Sequence, residues 1–401
     1  MADAKKPALT EELVRAPLSG ELEHIRESLR TCIQCGSCSA SCPAVGLMDI
    51  TPRTLWKLIR WGLRDEILAS RTFWICTQCY ACTARCPRGI VTSENMRLLR
   101  RWVADEGLQV PEAVLRLKET VTTTYNISGE DNARRLIWSE NLEQAPESIK
   151  PRQNADVLLF TGCVSSFYPM AYSIPQSMVQ ILERAGVSYT TMGGEEWCCG
   201  YPLYGVGMEE EIVGIARHNI ARFKEMGAKK LLTTCPSCYH TWAHIYPEIL
   251  RCTSPPDDGE IAVQHSTEFL ADLIREEKLK FAEQKPTTIT YHDPCDLGRK
   301  GGVYDAPRYI MQSIPGLKLV EMANNRESAL CCGGGGDVEM VDAQAVLDLS
   351  AQRMAQVKAS GAQVLVSACQ QCKRTLFRAA RDSKTRVRVL DITELVWNSL
   401  A

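Results

Sequence analysis

A set of five cysteines that occurs twice constrains the fold of this chain more than any other feature of its sequence. Cys163, the adjacent pair Cys198 and Cys199, and the C-x2-C pair Cys235 and Cys238 each have a counterpart 132 to 134 residues later. The counterparts are Cys295, Cys331, Cys332, Cys369 and Cys372. Five positions in register over this distance indicate an internal duplication, so two copies of one structural unit are expected.

Short apolar strands precede the cysteines in both copies. The segments ADVLLFTGC and TTITYHDPC end at Cys163 and Cys295, and KKLLTTC and AQVLVSAC end at Cys235 and Cys369. Helical stretches separate these strands, which predicts α/β units with parallel sheets. Because open parallel sheets bind ligands at the carboxyl ends of their strands, the five thiolates of each copy are expected to converge there.

Two further cysteine runs lie near the N-terminus, CIQCGSCSASCP and CTQCYACTARCP. Both follow the pattern C-x2-C-x2-C-x3-C-P, which binds cubane [4Fe–4S] clusters in two-cluster ferredoxins, where the fourth cysteine of each run ligates the other cluster. The pattern assigns one cubane to Cys32, Cys35, Cys38 and Cys86, and the other to Cys76, Cys79, Cys82 and Cys42. A pair of zinc knuckles is the alternative, although zinc gains nothing from this crossed spacing.

The segment between these two runs is predicted to be helical. Thr51 followed by Pro52 marks a helix start, and apolar residues recur at helical spacing between Leu55 and Ile67. The clusters are therefore expected to lie between helices rather than in a small β-ferredoxin. Four basic side chains of the segment either form a solvated helix face, the simpler interpretation, or dock a partner; they are Arg53, Lys57, Arg60 and Arg64.

The expected domain organisation follows from these patterns. Residues 1–143 form a helical domain for two clusters, and helical structure is predicted throughout 91–143 apart from the break NISGE. The polar, proline-bearing segment 144–155 is interpreted as a linker. The two repeats are assigned to 156–285 and 286–401.

Glycine follows each adjacent cysteine pair, in the segments EWCCG and LCCGGGG. Neighbouring cysteines form a strained disulfide, whereas their thiolates can bind different irons of one cluster. Gly200, Gly333 and Gly334 are interpreted as cofactor-binding residues, because glycine permits backbone conformations and close approaches that a side chain blocks. Backbone N–H groups of residues 333–336 would then face sulfur. An ordinary flexible turn is the alternative for these glycines.

Composition favours a metal-binding protein of a reducing compartment. The chain has 401 residues, 19 of them cysteine, with 45% apolar and 23% charged residues and a formal net charge of -2. These values are typical of a globular protein and give no reason to expect a nucleic-acid partner. The clustering of the cysteines argues against a disulfide framework. Because no apolar run has the length of a signal peptide or a bilayer span, a cytoplasmic location is expected, with peripheral contact to the cytoplasmic membrane face as a variant.

Other interpretations of the repeated cysteines stay open. CPSC after a strand is typical of a thioredoxin-like redox pair, but here it recurs in frame as CQQC. Four of the five thiolates of one copy could also supply the four ligands of a tetrahedral zinc site, so zinc in one half is the alternative cofactor. Cys252 lies outside every pattern and is interpreted as a core cysteine. His240 and His292 are candidate proton donors, with structural histidines as the simpler interpretation.

The repeated pattern Cys, Cys-Cys-Gly, Cys-x2-Cys resembles the cysteine-rich CCG domain of the B subunit of heterodisulfide reductase. The preceding two-cluster domain is similar to the C subunit of that enzyme, and the fused order resembles its D subunit. The resemblance covers residues 20–397. It implies an α+β multidomain fold, in which an N-terminal helical ferredoxin domain with two [4Fe–4S] clusters precedes a duplicated α/β CCG domain.

The resemblance also implies cofactors and ligands. The two cubane clusters would be accompanied by two noncubane [4Fe–4S] clusters that face each other across a disulfide substrate. The implied catalytic ligands of the first noncubane cluster are Cys163, Cys198, Cys199, Cys235 and Cys238. Those of the second are Cys295, Cys331, Cys332, Cys369 and Cys372.

The implied activity is that of an oxidoreductase acting on a sulfur group. Because the chain has no nucleotide fingerprint, electrons would come from a flavin-containing iron–sulfur subunit or a membrane cytochrome b-type subunit of a hetero-oligomer. They would cross the cubanes and reduce a disulfide, of the coenzyme M–coenzyme B type or an analogue, to thiols. Iron–sulfur subunits of glycolate and glycerol-3-phosphate dehydrogenases and of sulfite-reduction membrane complexes share the architecture, so an electron relay without its own substrate is the alternative. The complete cysteine sets favour disulfide chemistry.

Overall fold

The N-terminal domain consists of helices. The computed structural model describes residues 20–108, 110–253 and 261–401. Thr51 caps the third helix by accepting a hydrogen bond from the Thr54 N–H, and Pro52 occupies the first helical position, which confirms the predicted helix start. The α-helices of this domain are α1 (Gly20–Ser28), α2 (Ser37–Ala40), α3 (Pro52–Trp61), α4 (Arg64–Leu68), α5 (Ala81–Ala84), α6 (Thr92–Asp105) and α7 (Glu112–Thr124).

The segment DNARRLIWSENL does not form the predicted helix. It contains two short 3-10 turns, Asn132–Arg134 and Ile137–Ser139. The Asn132 side chain donates hydrogen bonds to the carbonyls of Gly194, at 2.6 Å, and Glu196, at 2.9 Å. These bonds to the first repeat fix the local course of the chain, so tertiary contacts override the helical preference of the sequence.

Two parallel sheets with the same topology follow. The first contains β1 (Val157–Phe160), β2 (Tyr189–Thr190), β3 (Lys230–Thr233) and β4 (Val263–His265). The second contains β5 (Thr287–His292), β6 (Leu317–Leu319), β7 (Val364–Ser367) and β8 (Arg388–Asp391). Their strand orders are β2-β1-β3-β4 and β6-β5-β7-β8, with every pair parallel. Because both sheets have the same strand order, the predicted duplication of an α/β unit is confirmed.

The register of the central strands places the cysteine loops at one edge of each sheet. Phe160 of β1 pairs with Thr233 of β3, and His292 of β5 pairs with Ser367 of β7. These are the last residues of all four strands, and cysteines follow within two or three residues of each. The carboxyl edge of each sheet therefore carries the cysteines, as predicted.

Helices cover the two sheets. Those of the first repeat are α8 (Cys163–Phe167), α9 (Ser173–Arg184), α10 (Tyr201–Gly205), α11 (Glu210–Met226), α12 (Pro236–His240), α13 (Tyr246–Thr253) and α14 (Ser266–Arg275), with a π-helical turn at Thr241–Ile245. Those of the second are α15 (Asp305–Gln312), α16 (Val338–Val341), α17 (Ala343–Ser360), α18 (Gln370–Asp382) and α19 (Ile392–Ser399), with a π-helical turn at Asp296–Lys300. No helix in the described ranges combines the length and apolarity that crossing a membrane requires.

The repeats pack in a pseudo-symmetric way. Helix α9 of the first repeat contacts α19 of the second, and α14 contacts α15. In both contacts, the first long helix of one repeat meets the last helix of the other, as a two-fold arrangement requires. A shared core that includes Leu159 and Leu182 together with Ile289 and Ile392 lies between the repeats.

A second core joins the N-terminal domain to the first repeat. Trp102 and Val121 belong to the same buried cluster as Phe160 and Leu203. The segment 144–155 also packs on the first sheet, where the carbonyl of buried Ile149 accepts a hydrogen bond from Thr191 Oγ1 at 2.6 Å. The side chain of Cys252 lies outside the described residues. All three parts of the chain thus share buried surface.

Candidate metal centres

The fourth cysteine of each N-terminal run lies with the other run. Cys86 lines one pocket with Cys32, Cys35 and Cys38. Cys42 instead lies near the second run, since burial and the neighbouring Cys79, Cys76 and Cys82 all raise its pKa. The structure therefore brings together the two crossed sets of four that the spacing indicates.

Glutamines within the runs also contact sulfur, and the sequence patterns did not single them out. Gln34 and Gln78 both adopt left-handed backbone conformations, with φ of 57° and 53°. Their Nε2 atoms donate hydrogen bonds to the sulfurs of Cys32, at 3.4 Å, and Cys76, at 3.8 Å. The repeated C-x-Q-C spacing is the sequence signal that could have identified them.

The five sulfurs of the first repeat form one continuous buried chain. Hydrogen bonds link Cys163 to Cys198, Cys198 to Cys199 and Cys238 to Cys235. The sulfurs of Cys199 and Cys238 are 3.5 Å apart. Hydrogen bonds from Cys198 and Cys238 lower the pKa of Cys199 to about 6. The site thus favours a thiolate, the form that binds metal.

The five sulfurs of the second repeat follow the same order. Cys331 contacts both Cys295 and Cys332, and Cys369 contacts Cys372. The sulfurs of Cys332 and Cys372 are 3.4 Å apart. Two independent loop sets therefore create the same arrangement of five sulfurs, one from each first strand, two from the adjacent pair and two from the C-x2-C loop.

The glycines after the cysteine pairs donate backbone hydrogen bonds to sulfur. The Gly200 N–H points at Cys198 Sγ at 3.4 Å, and the Gly333 N–H points at Cys331 Sγ at 3.3 Å. Both glycines have left-handed conformations, with φ of 84° and 92°. A Cβ on Gly200 would lie 2.8 Å from Ile212 Cγ2, so a larger residue does not fit there.

Gly334 makes the same kind of contact one residue later. Its N–H lies 3.4 Å from Cys332 Sγ. A Cβ at this position would collide with Thr375 and Gln371 of α18. Loops that approach sulfur so closely have no room for side chains, which agrees with glycine at these positions.

A buried ion pair lies against the first cysteine site. Arg135 Nη1 is 3.0 Å from Glu196 Oε1, and both side chains are almost completely buried. The Arg135 Nη2 and Nη1 atoms also donate to Cys163 Sγ at 3.7 and 3.9 Å. Glu196 accepts from the N–H groups of Thr161 and Gly162. Because Arg135 comes from the N-terminal domain, the duplication does not reproduce it at the second site.

A histidine lies beside the second site instead. One ring nitrogen of His292 and the sulfurs of Cys332 and Cys372 lie within 4.8 Å of one another. Arg353 Nε donates to His292 Nδ1 at 3.0 Å, so the other ring nitrogen carries the proton in the neutral ring. Burial lowers the pKa of His292, and it lowers the pKa of His240 to about 4. Both candidate histidines are therefore neutral near pH 7.

The two repeats exchange hydrogen bonds between their cysteine loops. Ser237, inside the first C-x2-C loop, donates to Asp296 Oδ2 at 2.7 Å, next to Cys295. Gln370, inside the second C-x2-C loop, accepts from the Ser165 N–H at 3.1 Å, close to Cys163. Each C-x2-C loop thus bonds to the loop that carries the first cysteine of the other repeat.

The second N-terminal run adjoins the second repeat. The thiols of Cys79 and Cys331 are hydrogen bonded, and this contact lowers the pKa of Cys79 to about 5. Arg299 bridges the same boundary by donating to the Cys79 carbonyl at 2.5 Å and the Ala329 carbonyl at 2.7 Å. Three of the four cysteine sites are therefore contiguous.

The donor sets suit iron–sulfur clusters. Each contains only cysteine sulfurs, and every one of them except the exposed Cys35 is buried or half-buried. Backbone or glutamine N–H groups point at several of these sulfurs, an environment that suits such clusters. The residues present therefore fit the four groups that the sequence implies.

Comparison with known proteins agrees with this chemistry. Residues 28–90 match the family of 4Fe-4S dicluster domains, and residues 157–242 and 289–377 each match the family described as cysteine-rich domain. A crystal structure of a hypothetical protein from Helicobacter pylori is similar with a TM-score of 0.54 at 12% identity, over 96% of this chain and 73% of that one. At that identity the likeness shows the fold alone.

Two curated relatives are informative. EtfAB:quinone oxidoreductase of Syntrophomonas wolfei is 29% identical over 84% of this chain and 48% of its own length. The D subunit of dihydromethanophenazine:CoB--CoM heterodisulfide reductase from Methanosarcina barkeri is 32% identical over 93% of this chain and 94% of its own length. The chain carries 4Fe-4S clusters, including noncubane ones, and acts in iron–sulfur electron transfer. It belongs to the family of heterodisulfide reductase D subunits.

Proposed function

We propose that this chain is the disulfide-reducing subunit of a heterodisulfide-reductase-like complex. Electrons pass through two cubane clusters to two noncubane clusters, where a disulfide of the coenzyme M–coenzyme B type or an analogue is reduced to two thiols. The observation that carries this proposal is the reciprocal bonding of the two complete five-cysteine sites, through Ser237 to Asp296 and Gln370 to Ser165. Two sites that share one boundary can act on the two sulfurs of one small molecule.

The proposed ligands are the four sulfur sets described above. The cubane ligands are Cys32, Cys35, Cys38 and Cys86, and Cys76, Cys79, Cys82 and Cys42. The noncubane ligands are Cys163, Cys198, Cys199, Cys235 and Cys238, and Cys295, Cys331, Cys332, Cys369 and Cys372. Bound clusters would supply one-electron transfer and iron that stabilises thiolate sulfur.

The protein around the sites supports this role through burial and hydrogen bonds. Gly200, Gly333 and Gly334 direct N–H groups at sulfur, which stabilises electron-rich sulfur. Arg135 adds a guanidinium beside Cys163. These groups also exclude water from the sulfurs, so charge that develops there interacts in a low-dielectric environment.

The electron donor is proposed to be another subunit. A flavin-containing iron–sulfur subunit or a membrane cytochrome b-type subunit fits, since relatives are named as a reductase subunit and as a quinone oxidoreductase. Such a hetero-oligomer would place the chain in the cytoplasm, with peripheral contact to the membrane in the second case. The S. wolfei relative is also the observation that favours a second candidate function, an electron relay without its own substrate.

Metal analysis and spectroscopy test the proposal. Four [4Fe–4S] clusters predict about sixteen irons per chain. Addition of physiological thiols to the oxidised anaerobic protein should create a new paramagnetic signal that an isotopically labelled thiol sulfur broadens. About twelve irons with one zinc would instead place zinc in one repeat. Full iron content without a response to any physiological thiol would contradict disulfide reduction and leave the relay function.

Single cysteine substitutions test the ligand sets. Cys199→Ser and Cys332→Ser should each lower the iron content by about four atoms and remove one noncubane signal, because each loses a central sulfur of its site. The cubane signals should persist in both variants. Cys252→Ser provides the matched control, since this cysteine belongs to no set, and it should keep every signal. Loss of cubane signals from either test variant would refute the assignment of ligands to domains.

A further inference from the structure

The first N-terminal cluster site reaches the surface, unlike the other sites. Of the cysteines whose side chains the structure describes, Cys35 is the only exposed one. Ile33 beside it is 63% exposed, the most exposed large apolar residue among those described. An electron carrier that approaches this point can come within a few ångströms of a cluster ligand, whereas the cysteines of both repeats are buried or half-buried.

Exposed basic side chains lie in and next to the elements that carry this site. Arg53 and Arg88 line the pocket that contains Cys35, and Arg60 Nη1 donates to the Cys32 carbonyl at 3.0 Å. Lys57 lies between Arg53 and Arg60 on the same face of α3. Arg85 is exposed directly before Cys86. We call these five side chains the basic ring: Arg53, Lys57, Arg60, Arg85 and Arg88.

The charges of the basic ring are available for a partner. None of the five forms an ion pair with a carboxylate within residues 20–108, 110–253 and 261–401. Arg64, at the start of the next helix, differs because it pairs with Glu106 at 3.7 Å. The basic ring therefore gives this end of the molecule a local positive charge, although the formal net charge of the chain is -2.

Charge of one sign around a redox centre accelerates the encounter with a carrier of opposite sign. Complementary potentials raise association rates by about one to three orders of magnitude at low ionic strength. A central apolar residue with a polar rim is also the usual composition of a protein interface. An anionic lipid surface would satisfy the charges but would give no reason for an exposed cluster ligand at the centre.

We propose that the basic ring docks an acidic one-electron carrier protein over Cys35. The inference rests on the proposed function, because it takes the first cubane as the point where electrons reach the chain. In each encounter the carrier is oxidised by one electron and the chain is reduced by one electron, with no transfer of atoms. Carboxylates of the carrier pair with the basic ring, and Ile33 contacts an apolar residue at their centre.

Stopped-flow reduction of the cluster-loaded chain tests this surface. The carrier is a reduced, acidic plant-type [2Fe–2S] ferredoxin, and photoreduced deazaflavin serves as a neutral reductant. The variant Lys57→Glu/Arg88→Glu reverses two charges of the basic ring. The control Lys285→Glu/Arg386→Glu reverses two exposed charges that lie two residues before β5 and β8, at the sheet edge opposite the cysteines. All proteins are compared at equal iron content.

The ring variant should react with ferredoxin about tenfold more slowly than the wild type at low ionic strength. This difference in rate should vanish near 1 M salt, because the Debye length there is about 3 Å and charges farther apart are screened. The control variant should match the wild type, and deazaflavin should reduce all proteins at equal rates. Equal ferredoxin rates for the ring and control variants would overturn the proposal.

Two further outcomes separate the alternatives. If the ring variant loses only its binding to phosphatidylglycerol vesicles, the basic ring is a lipid surface and the proposal is wrong. If neither reductant reduces the cluster-loaded wild type, the proposed electron-transfer function itself fails. Should the double variant lose iron, Lys57→Glu alone provides the same comparison, because the Lys57 ammonium contacts the Trp61 ring, at 4.2 Å, rather than a cluster residue.

Discussion

At the scale of single residues, Arg135 distinguishes the two repeated sites. Its guanidinium donates to Cys163 Sγ at 3.7 and 3.9 Å and pairs with buried Glu196 at 3.0 Å. The second repeat has His292 near its sulfurs instead, and the His292 imidazole is neutral near pH 7 because burial lowers its pKa. Because hydrogen bonds and positive charge near sulfur favour the reduced cluster, the first site should have the higher potential.

The variant Arg135→Met/Glu196→Gln should therefore lower the midpoint potential of one noncubane cluster. The expected shift is about 60 mV, which for one electron equals about 1.4 kcal/mol, the size of one hydrogen bond to a charged group. Redox titration followed by electron paramagnetic resonance measures it. Arg134→Met is the matched control, since Arg134 is exposed and, among the described residues, forms its ion pair with Glu130. An unchanged potential in the double variant would refute the role of Arg135.

At the scale of elements, the π-helical turn Asp296–Lys300 joins the repeats. Lys300 Nζ lies 2.8 Å from Asp296 Oδ1 and 2.5 Å from the Tyr201 hydroxyl, which itself donates to Asp296 at 2.8 Å. Ser237 completes this buried group. The wider π turn brings the ammonium and the carboxylate, four residues apart, to the same partner of the first repeat.

Loss of one partner of this ion pair should destabilise the protein strongly. Lys300→Met leaves the Asp296 carboxylate buried without its cation and should cost about 3–5 kcal/mol. The double variant Asp296→Asn/Lys300→Met should recover much of this loss, because no isolated charge remains. Anaerobic denaturant unfolding of Lys300→Met, Asp296→Asn and the double variant measures the coupling between the two side chains. Additive losses would show that the pair does not act as a unit.

At the scale of the whole molecule, Arg100 of α6 joins three parts of the chain. It is fully buried and donates to the carbonyls of Phe73 and Trp74, just before the second cluster run, and of Cys76, its first residue, between 2.6 and 3.4 Å. Its Nη1 atom reaches Gly205 of the first repeat at 2.7 Å and Gly336 of the second at 3.0 Å. One guanidinium thereby fixes the second run against both repeats.

Arg100→Met should loosen this junction. Five carbonyls lose their donor, and even partial loss of hydrogen bonds to a charged group predicts at least about 3 kcal/mol of destabilisation. Thermal unfolding followed by tryptophan fluorescence measures the change. Arg116→Met is the control, because Arg116 is exposed on α7 and its ion pair within the described part of the chain is with Glu112 of the same helix. Equal unfolding temperatures for both variants would contradict a junction role for Arg100.

Local spacing in the sequence was sufficient to predict much of this molecule. The Thr51 cap, the duplicated α/β unit and the convergence of cysteines at strand ends depend on residues that are close in the chain or repeated along it. The segment around Asn132 shows where that approach fails. Its long-range bonds to Gly194 and Glu196 decide its structure, and no local pattern encodes them.

The sequence by itself determined which atoms can bind metal, because thiolate chemistry and cysteine spacing are properties of short segments. Only the tertiary structure decided which sites adjoin, as in the contact of Cys79 with Cys331 and the bond from Gln370 to the opposite repeat. It also placed Arg135 beside Cys163 and left Cys35 exposed. These relations join residues far apart in the chain, and they exist only once the cores that connect the three parts have packed.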